Sequence, residues 1–427
     1  IGYSFLYCDI CIAGNKKPSV SLLQLLTGNV MKNKVIIFVC VALVALTVVP
    51  AINLTLINNQ QNAVEKWWSR SVLYNFDFAL PYLSCFFYPL GISTNPNQVI
   101  IGKNNWLYLG DQYEKTISVK RRIATEEDLK TAREIARQSE AWKQFLRRKG
   151  VRLYKVMIGP DKGTVYPEFL PDWVRPVAGS ATDALLANVT REIYIDTRPK
   201  LINAKSQFAE PLYYKTGTHW NSLGAWVAFR AFCMDVARTE TDLRWLSERQ
   251  VRVLKANKRY GSDLAYFLRM TEILRDTEVK IEILSKYPVE TEQFDFETGQ
   301  LKVSDGNPEI GAIGNLKRPL LVKSQYALNE RKVLWLRDSF GAALSPFMAA
   351  TFTETLQIHY SEIDSKSMVR LIDTYKPDYV FITVVERGAR GEWFKNPPPM
   401  AVTSKKPVNF VALSQWPQYG TNDMINR

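Results

Sequence analysis

Histidine is nearly missing from this chain: among 427 residues only His219 and His359 occur. Chemistry that needs an imidazole base therefore has two candidates. Cysteine is sparse as well. Cys8 and Cys11 form a lone C-x-x-C with no second pair and no histidine nearby, which argues against a zinc site. No metal or cofactor is expected. Cys40 falls inside an apolar run. Cys85 and Cys233 remain in the main body, and they pair only if the compartment is oxidising and the fold brings them together. Acidic residues number 42 against 55 basic ones, a net charge of +13. Such a surface attracts nucleic acid, anionic lipid or acidic polysaccharide. No nucleic-acid recognition motif occurs, so no nucleic-acid partner is expected. Internal repeats and low-complexity runs are missing too.

What is present begins with a long apolar run. Val35 to Leu54 carries no charged residue and is long enough to span a bilayer. Lys32 and Lys34 precede it, which places the N-terminus in the cytoplasm and the body outside. No clear cleavage site of the small-residue type follows, so an anchor is preferred to a cleaved signal. The chain opens on Ile1, and Met31 stands directly before the lysines. Translation is expected to start at Met31, with residues 1–30 lying upstream. Residues 31–57 then form a cytoplasmic stub and anchor, and 58–98 a membrane-proximal linker.

The body, 99–390, reads as α/β. Val99 to Asp111 is a hairpin around Lys103-Asn104-Asn105. Thr125 followed by three acidic residues starts a helix that stops at Gly150. Basic residues between Lys115 and Lys149 sit mainly on that helix's polar face. A strand (VRLYKVMIG), a helix over 181–191 and a strand ending at Asp196 follow. Gly224 to Arg238 is helical. Residues 245–330 mix short elements with turn signals. Beyond Lys332 the order is strand, helix, strand, helix, strand, and this alternation predicts a mainly parallel sheet flanked by helices. Residues 391–427 form a tail.

Ser339 lies between the strand VLWLR and a helix start. In open α/β sheets, sites form beyond the carboxyl ends of strands, and N–H groups of a following helix can hold an oxyanion. A helix-capping role for Asp338-Ser339 is the plain alternative. A serine nucleophile needs a base. His219, in the polar turn YYKTGTHWNSLGAW, suits that role better than His359, which sits in the apolar stretch LQIHY and reads as structural. The aromatic content of 12% fits either a sugar-contacting surface or core filling.

Taken together, several segments resemble the SGNH hydrolase-like acetyltransferase family of the alginate O-acetylation proteins. They are IGKNNWLYLGD, GPDKGTVYPEFLP, YYKTGTHWNSLGA, YGSDLAYFL, LWLRDSFGAAL and KPDYVFITVVER, in this order between Val99 and Arg387. The resemblance implies an SGNH-type α/β domain held by one N-terminal transmembrane helix in the inner membrane and facing the periplasm. It implies acetyl transfer to hydroxyls of an exopolysaccharide through Ser339 and His219, beside a separate multi-spanning acyl donor protein.

Two positions depart from the family pattern. Two residues before the histidine the family has the orienting aspartate, and here stands Gly217. Losing a triad carboxylate lowers turnover by about 10⁴. Impaired activity is the first reading. A substitute carboxylate (Asp338, Asp263 or Asp196) is the second, and a sequence variant at 217 the third. Gly217 also has a bland reading, as a turn residue needing positive φ. If His219 is still well placed, Gly217→Asp should raise the rate. Arg337 stands where SGNH hydrolases at large have glycine. Two functional readings compete with the acetyltransferase. One is an acetylesterase. The other is a non-catalytic polysaccharide-binding or scaffold subunit of an exopolysaccharide modification or export complex.

Overall fold

The structure, a computed structural model, describes residues 22–58, 68–285, 289–304 and 316–399. Cys8, Cys11 and the tail beyond residue 399 lie outside the described residues. Two units are distinguished, Ile1–Leu80 and Pro81–Arg427. In the first, helix α1 spans Leu22–Asn58, and its stretch Asn33–Leu56 is 24 residues long and apolar enough to cross a membrane, as an anchor or a signal sequence. Within it the buried Asn53 side chain donates to the carbonyls of Leu73 and Asn75 at 2.8 Å each.

The second unit is built on an eight-stranded sheet. Its strands are β1 (Leu153–Gly159), β2 (Tyr194–Asp196), β3 (Thr291–Asp295), β4 (Leu301–Ser304), β5 (Leu320–Ser324), β6 (Asn329–Arg337), β7 (Phe352–Ile358) and β8 (Tyr379–Val385). Their spatial order is β4-β3-β5-β7-β6-β8-β1-β2. From β7 to β2 all neighbours are parallel. β5, β3 and β4 extend that core as antiparallel strands. The segment 245–330, irregular by sequence, thus supplies the antiparallel wing of the sheet.

The parallel strands are apolar on both faces because helices cover both. In β6, Val333 and Trp335 enter one core while Leu334 and Leu336 enter the other. β8 repeats the pattern, with Tyr379 and Phe381 on the first side and Val380, Ile382 and Val384 on the second. The second core takes in Ala132, Ile135, Trp142 and Leu146 from helix α2 (Glu126–Arg148). Thr125 and Asp128 form the capping box that starts it. Helix α3 (Ser222–Val236) covers the first core through Trp226, Phe229 and Phe232. The hairpin 99–109 pairs Val99 with Leu109, and its turn places Asn104 and Asn105 at positive φ. The C-terminal residues Glu392–Lys395 belong to this unit too: Phe394 is buried in the second core, and Trp142 donates to the Asn396 carbonyl.

Cys233 is buried in α3 and Cys85 is exposed. Both are free thiols, so the pairing considered from sequence is not made.

Candidate active site

The Ser339 turn is held from three directions. At the end of β6, Arg337 is completely buried and Asp338 follows as a cap. One Asp338 oxygen accepts from Phe340 N at 2.9 Å, and the other from Val385 N on β8 at 2.6 Å. Gly341 N donates to the Asp338 carbonyl at 3.1 Å. Arg337 lies beneath, its Nε donating to Gln357 Oε1 at 2.9 Å and its Nη1 to the Asp338 carbonyl at 3.2 Å. A Cβ on Gly341 would fall 2.5 Å from Arg337 Cδ, so the glycine and the arginine fit only as a pair. Arginine at 337 is thus a prop under the turn. The result presents Ser339 at the carboxyl edge of the parallel sheet.

His219 arrives from a hairpin-like loop. Tyr213 and Trp220 pair across it, Tyr214 N donates to the His219 carbonyl and Asn221 N to that of Leu212. Asn221 then caps α3, accepting from Leu223 N and Gly224 N. The loop tip is fixed by two buried charged groups. The Asp276 carboxylate accepts from Lys215 N, Thr216 N and Thr216 Oγ1 at 3.0, 2.7 and 2.6 Å. Lys162 Nζ donates to the carbonyls of Tyr214, Lys215 and Gly217 at 2.9, 2.9 and 2.5 Å. Trp220, also buried, donates from Nε1 to the Phe340 carbonyl at 3.0 Å and meets the Phe340 ring edge-on at 4.9 Å.

These supports bring His219 Nε2 to 2.8 Å from Ser339 Oγ, across 120 residues of chain. On the other side of the ring, Nδ1 lies 3.0 Å from Thr218 Oγ1 and 3.6 Å from Asp263 Oδ2. The Thr218 hydroxyl bonds that same Oδ2, and Thr218 N donates to Asp263 Oδ1 at 2.8 Å. Asp263 opens the short helix α4 (Asp263–Phe267), whose Leu264 N–H bonds the Thr216 carbonyl.

The other two candidate substitute carboxylates are engaged elsewhere. Asp338 spends both oxygens on backbone N–H groups of the serine turn. Asp196 pairs with Arg198. Gly217 does not have the positive φ considered for it, and space is what it supplies. A Cβ there would meet Ser262 Cβ at 2.8 Å, Asp263 Oδ1 at 3.0 Å and Tyr214 Cβ at 3.2 Å. His359 lies just past β7, where its Nδ1 accepts from Ser361 N.

Electrostatics favour a neutral imidazole. Enclosure lowers the His219 pKa, Arg387 and Lys162 push the same way, and Asp263 opposes them. Burial raises Asp338 to about 6 against the pull of its two N–H bonds and the Arg387 and Arg337 charges. Burial lowers Lys162 to about 7, opposed by Asp263 and Asp276. Behind the serine, Glu386 accepts from Asp161 N and Thr164 Oγ1 and pairs with Lys120, while Arg387 pairs with Asp161. Among the described residues no cluster of three or more His, Cys, Asp or Glu is placed to hold a metal.

Thr218, Asp276, Lys162 and Arg387 carry much of this arrangement, and sequence reading assigned them no role. For Asp276 no local signal exists, since its partners lie 60 residues away. For Lys162 the hint was its place in the GPDKGTVYPEFLP segment.

The family described as "SGNH hydrolase-like domain, acetyltransferase AlgX" matches residues 99–315, just over half of the chain. That stretch contains Gly217, His219 and Asp263 and stops short of Ser339. Among solved structures, the chain is similar to PatB1 of Bacillus cereus with a sulfonyl adduct, at TM-score 0.52 and 15% identity, over 70% of this chain and 99% of that one. A DHHW family protein from Eubacterium siraeum gives TM-score 0.50 and 15% identity, over 73% and 98% of the two chains. The O-acetyltransferase domain of Pseudomonas putida AlgJ gives TM-score 0.42 and 18% identity, over 68% and 92%. No curated protein matches the chain by sequence.

Proposed function

This chain belongs to the SGNH hydrolase-like acetyltransferase family of AlgX, and from that membership we propose that it is a serine-dependent O-acetyltransferase acting on an extracytoplasmic polysaccharide. The observation that carries the proposal is the 2.8 Å contact between Ser339 Oγ and His219 Nε2.

The steps balance around these two groups. Ser339 Oγ gives its proton to His219 Nε2 and attacks the acetyl carbonyl of the donor. The bond from that carbonyl to the donor's leaving group then breaks, and the leaving group takes the proton from His219. Acetyl-Ser339 remains. A sugar hydroxyl gives its proton to His219 and attacks the acetyl carbonyl. Ser339 Oγ departs and recovers the proton. The Ser339 N–H is one donor to the oxyanion. The next two N–H groups of the turn are taken by Asp338, so a further donor comes from outside the turn.

In this reading α1 holds the catalytic unit at the outer face of an inner membrane, where a multi-spanning acyl donor protein and the polysaccharide acceptor meet it. The Ser339–His219 contact favours an enzyme over a non-catalytic scaffold. Transfer differs from acetylester hydrolysis only in whether sugar or water takes the acetyl group.

The test uses the full chain in detergent with p-nitrophenyl acetate, with and without an oligosaccharide acceptor. Mass spectrometry should find acetyl on Ser339, and acceptor should speed turnover and become acetylated. Ser339→Ala should lose both signals. A rate equal to that of the unaltered protein would end the proposal. Release of acetate unaffected by acceptor would select the esterase reading.

A further inference from the structure

We infer that Asp263 on α4, acting through the Thr218 hydroxyl, supplies the orienting carboxylate of His219, and that Gly217 leaves the room in which that carboxylate sits. The inference rests on the Ser339–His219 reading and names two positioning residues for it.

The hydrogen-bond directions follow from the inventory of donors. An ionised carboxylate can only accept. Thr218 Oγ1 bonds Asp263 Oδ2, so the single hydroxyl hydrogen of Thr218 points at Asp263. Toward His219 Nδ1, 3.0 Å away, the hydroxyl must then accept. The imidazole proton is thereby placed on Nδ1. Nε2 is left with its lone pair aimed at Ser339 Oγ, the tautomer a general base needs. The carboxylate itself is locked, because its second oxygen accepts from Thr218 N at 2.8 Å. Its first oxygen, 3.6 Å from Nδ1, is too far for a direct hydrogen bond and near enough to stabilise the imidazolium.

Gly217 is the other half of the arrangement. A Cβ at 217 would point at the Asp263 carboxylate, 3.0 Å from Oδ1, and would strike Ser262 Cβ at 2.8 Å. An aspartate at 217 would also set a second carboxylate against the first, and like charges at that range disfavour each other. Glycine at 217 and aspartate at 263 are one solution to the orientation problem. The charged groups facing His219 are Asp263 on α4, Arg387 after β8 and Lys162 after β1, and only the first is anionic.

The experiment reads the tautomer directly by ¹⁵N NMR of imidazole-labelled full chain in detergent. With two histidines in the sequence, His359→Gln assigns the signals. The unaltered protein should show Nδ1–H and a bare Nε2 at His219. In Asp263→Asn the amide can donate to Thr218, which lets the hydroxyl turn toward Nδ1 and moves the proton to Nε2. Turnover should fall roughly 10²- to 10⁴-fold with KM nearly unchanged, the scale of losing a triad carboxylate. Thr218→Val should resemble it, and Thr218→Ser should restore the Nδ1–H form and most of the lost rate. Protonation on Nε2 in the unaltered protein would overturn the inference, even if the variants fail to fold. So would an unchanged tautomer and turnover in Asp263→Asn and Thr218→Val. The NMR result is independent of the Ser339 assay, so failure of the nucleophile assignment and failure of the relay are told apart.

Discussion

The indole N–H of Trp220 donates to the carbonyl of Phe340 at 3.0 Å, and this one bond joins the histidine loop to the serine turn. The residues that follow His219 and Ser339 in sequence are thus bonded to each other, and the side chains before them meet. Trp220→Phe keeps most of the ring and removes the donor. A buried carbonyl without its partner costs about 1–3 kcal/mol. Chemical denaturation should show a loss of that size, and turnover should fall because a shift of about 1 Å in the Ser339–His219 geometry costs as much as 10²-fold.

Gly217 tests how tightly the loop is packed. Sequence alone suggests that aspartate here would restore activity. The structure predicts the opposite, since a Cβ would lie 2.8 Å from Ser262 Cβ and 3.0 Å from Asp263 Oδ1. Gly217→Ala should destabilise by about 1–3 kcal/mol, the usual cost of overpacking. Gly217→Asp should cost at least as much and should lower the esterase rate. A rise in rate on Gly217→Asp would contradict this placement.

The pH profile should report the lowered His219 pKa. The base works when neutral, so activity is lost as pH falls through its pKa. With that pKa below the ordinary value of about 6.5, the acidic limb of kcat/KM should reach its midpoint below pH 6.5. A midpoint above 6.5 would mean that Asp263 outweighs enclosure at this ring.

Lys162 links the loop to the pH dependence of folding. Its folded pKa is about 7 against about 10.5 when exposed. Between these values the unfolded chain binds the extra proton, so this group makes stability increase as pH rises from about 7 toward 10.5. Below pH 7 both states are protonated and the contribution is flat. Lys162→Met removes three hydrogen bonds to loop carbonyls and should reduce turnover. The stability gap between wild type and Lys162→Met, measured by urea denaturation, should change in the protein's favour from pH 7 to pH 9. A gap independent of pH would sink the assignment.

By itself the sequence determined the elements that short-range chemistry controls. The apolar run of α1, the Asn-Asn turn of the 99–109 hairpin, the Thr125 cap of α2 and the apolar strands β6 and β8 depend on neighbours within a few residues. It also narrowed the base to two histidines. Tertiary structure decided the rest. β3, β4 and β5 are short and partly polar, and they become strands only by pairing with β7 and with one another. The carboxylate facing His219 could not be chosen among Asp338, Asp263 and Asp196, because that depends on contacts spanning 45 residues. The meaning of Gly217 was equally hidden: sequence records a missing side chain, and only the packing of α4 against the histidine loop shows that a Cβ there would run into Asp263 Oδ1 at 3.0 Å.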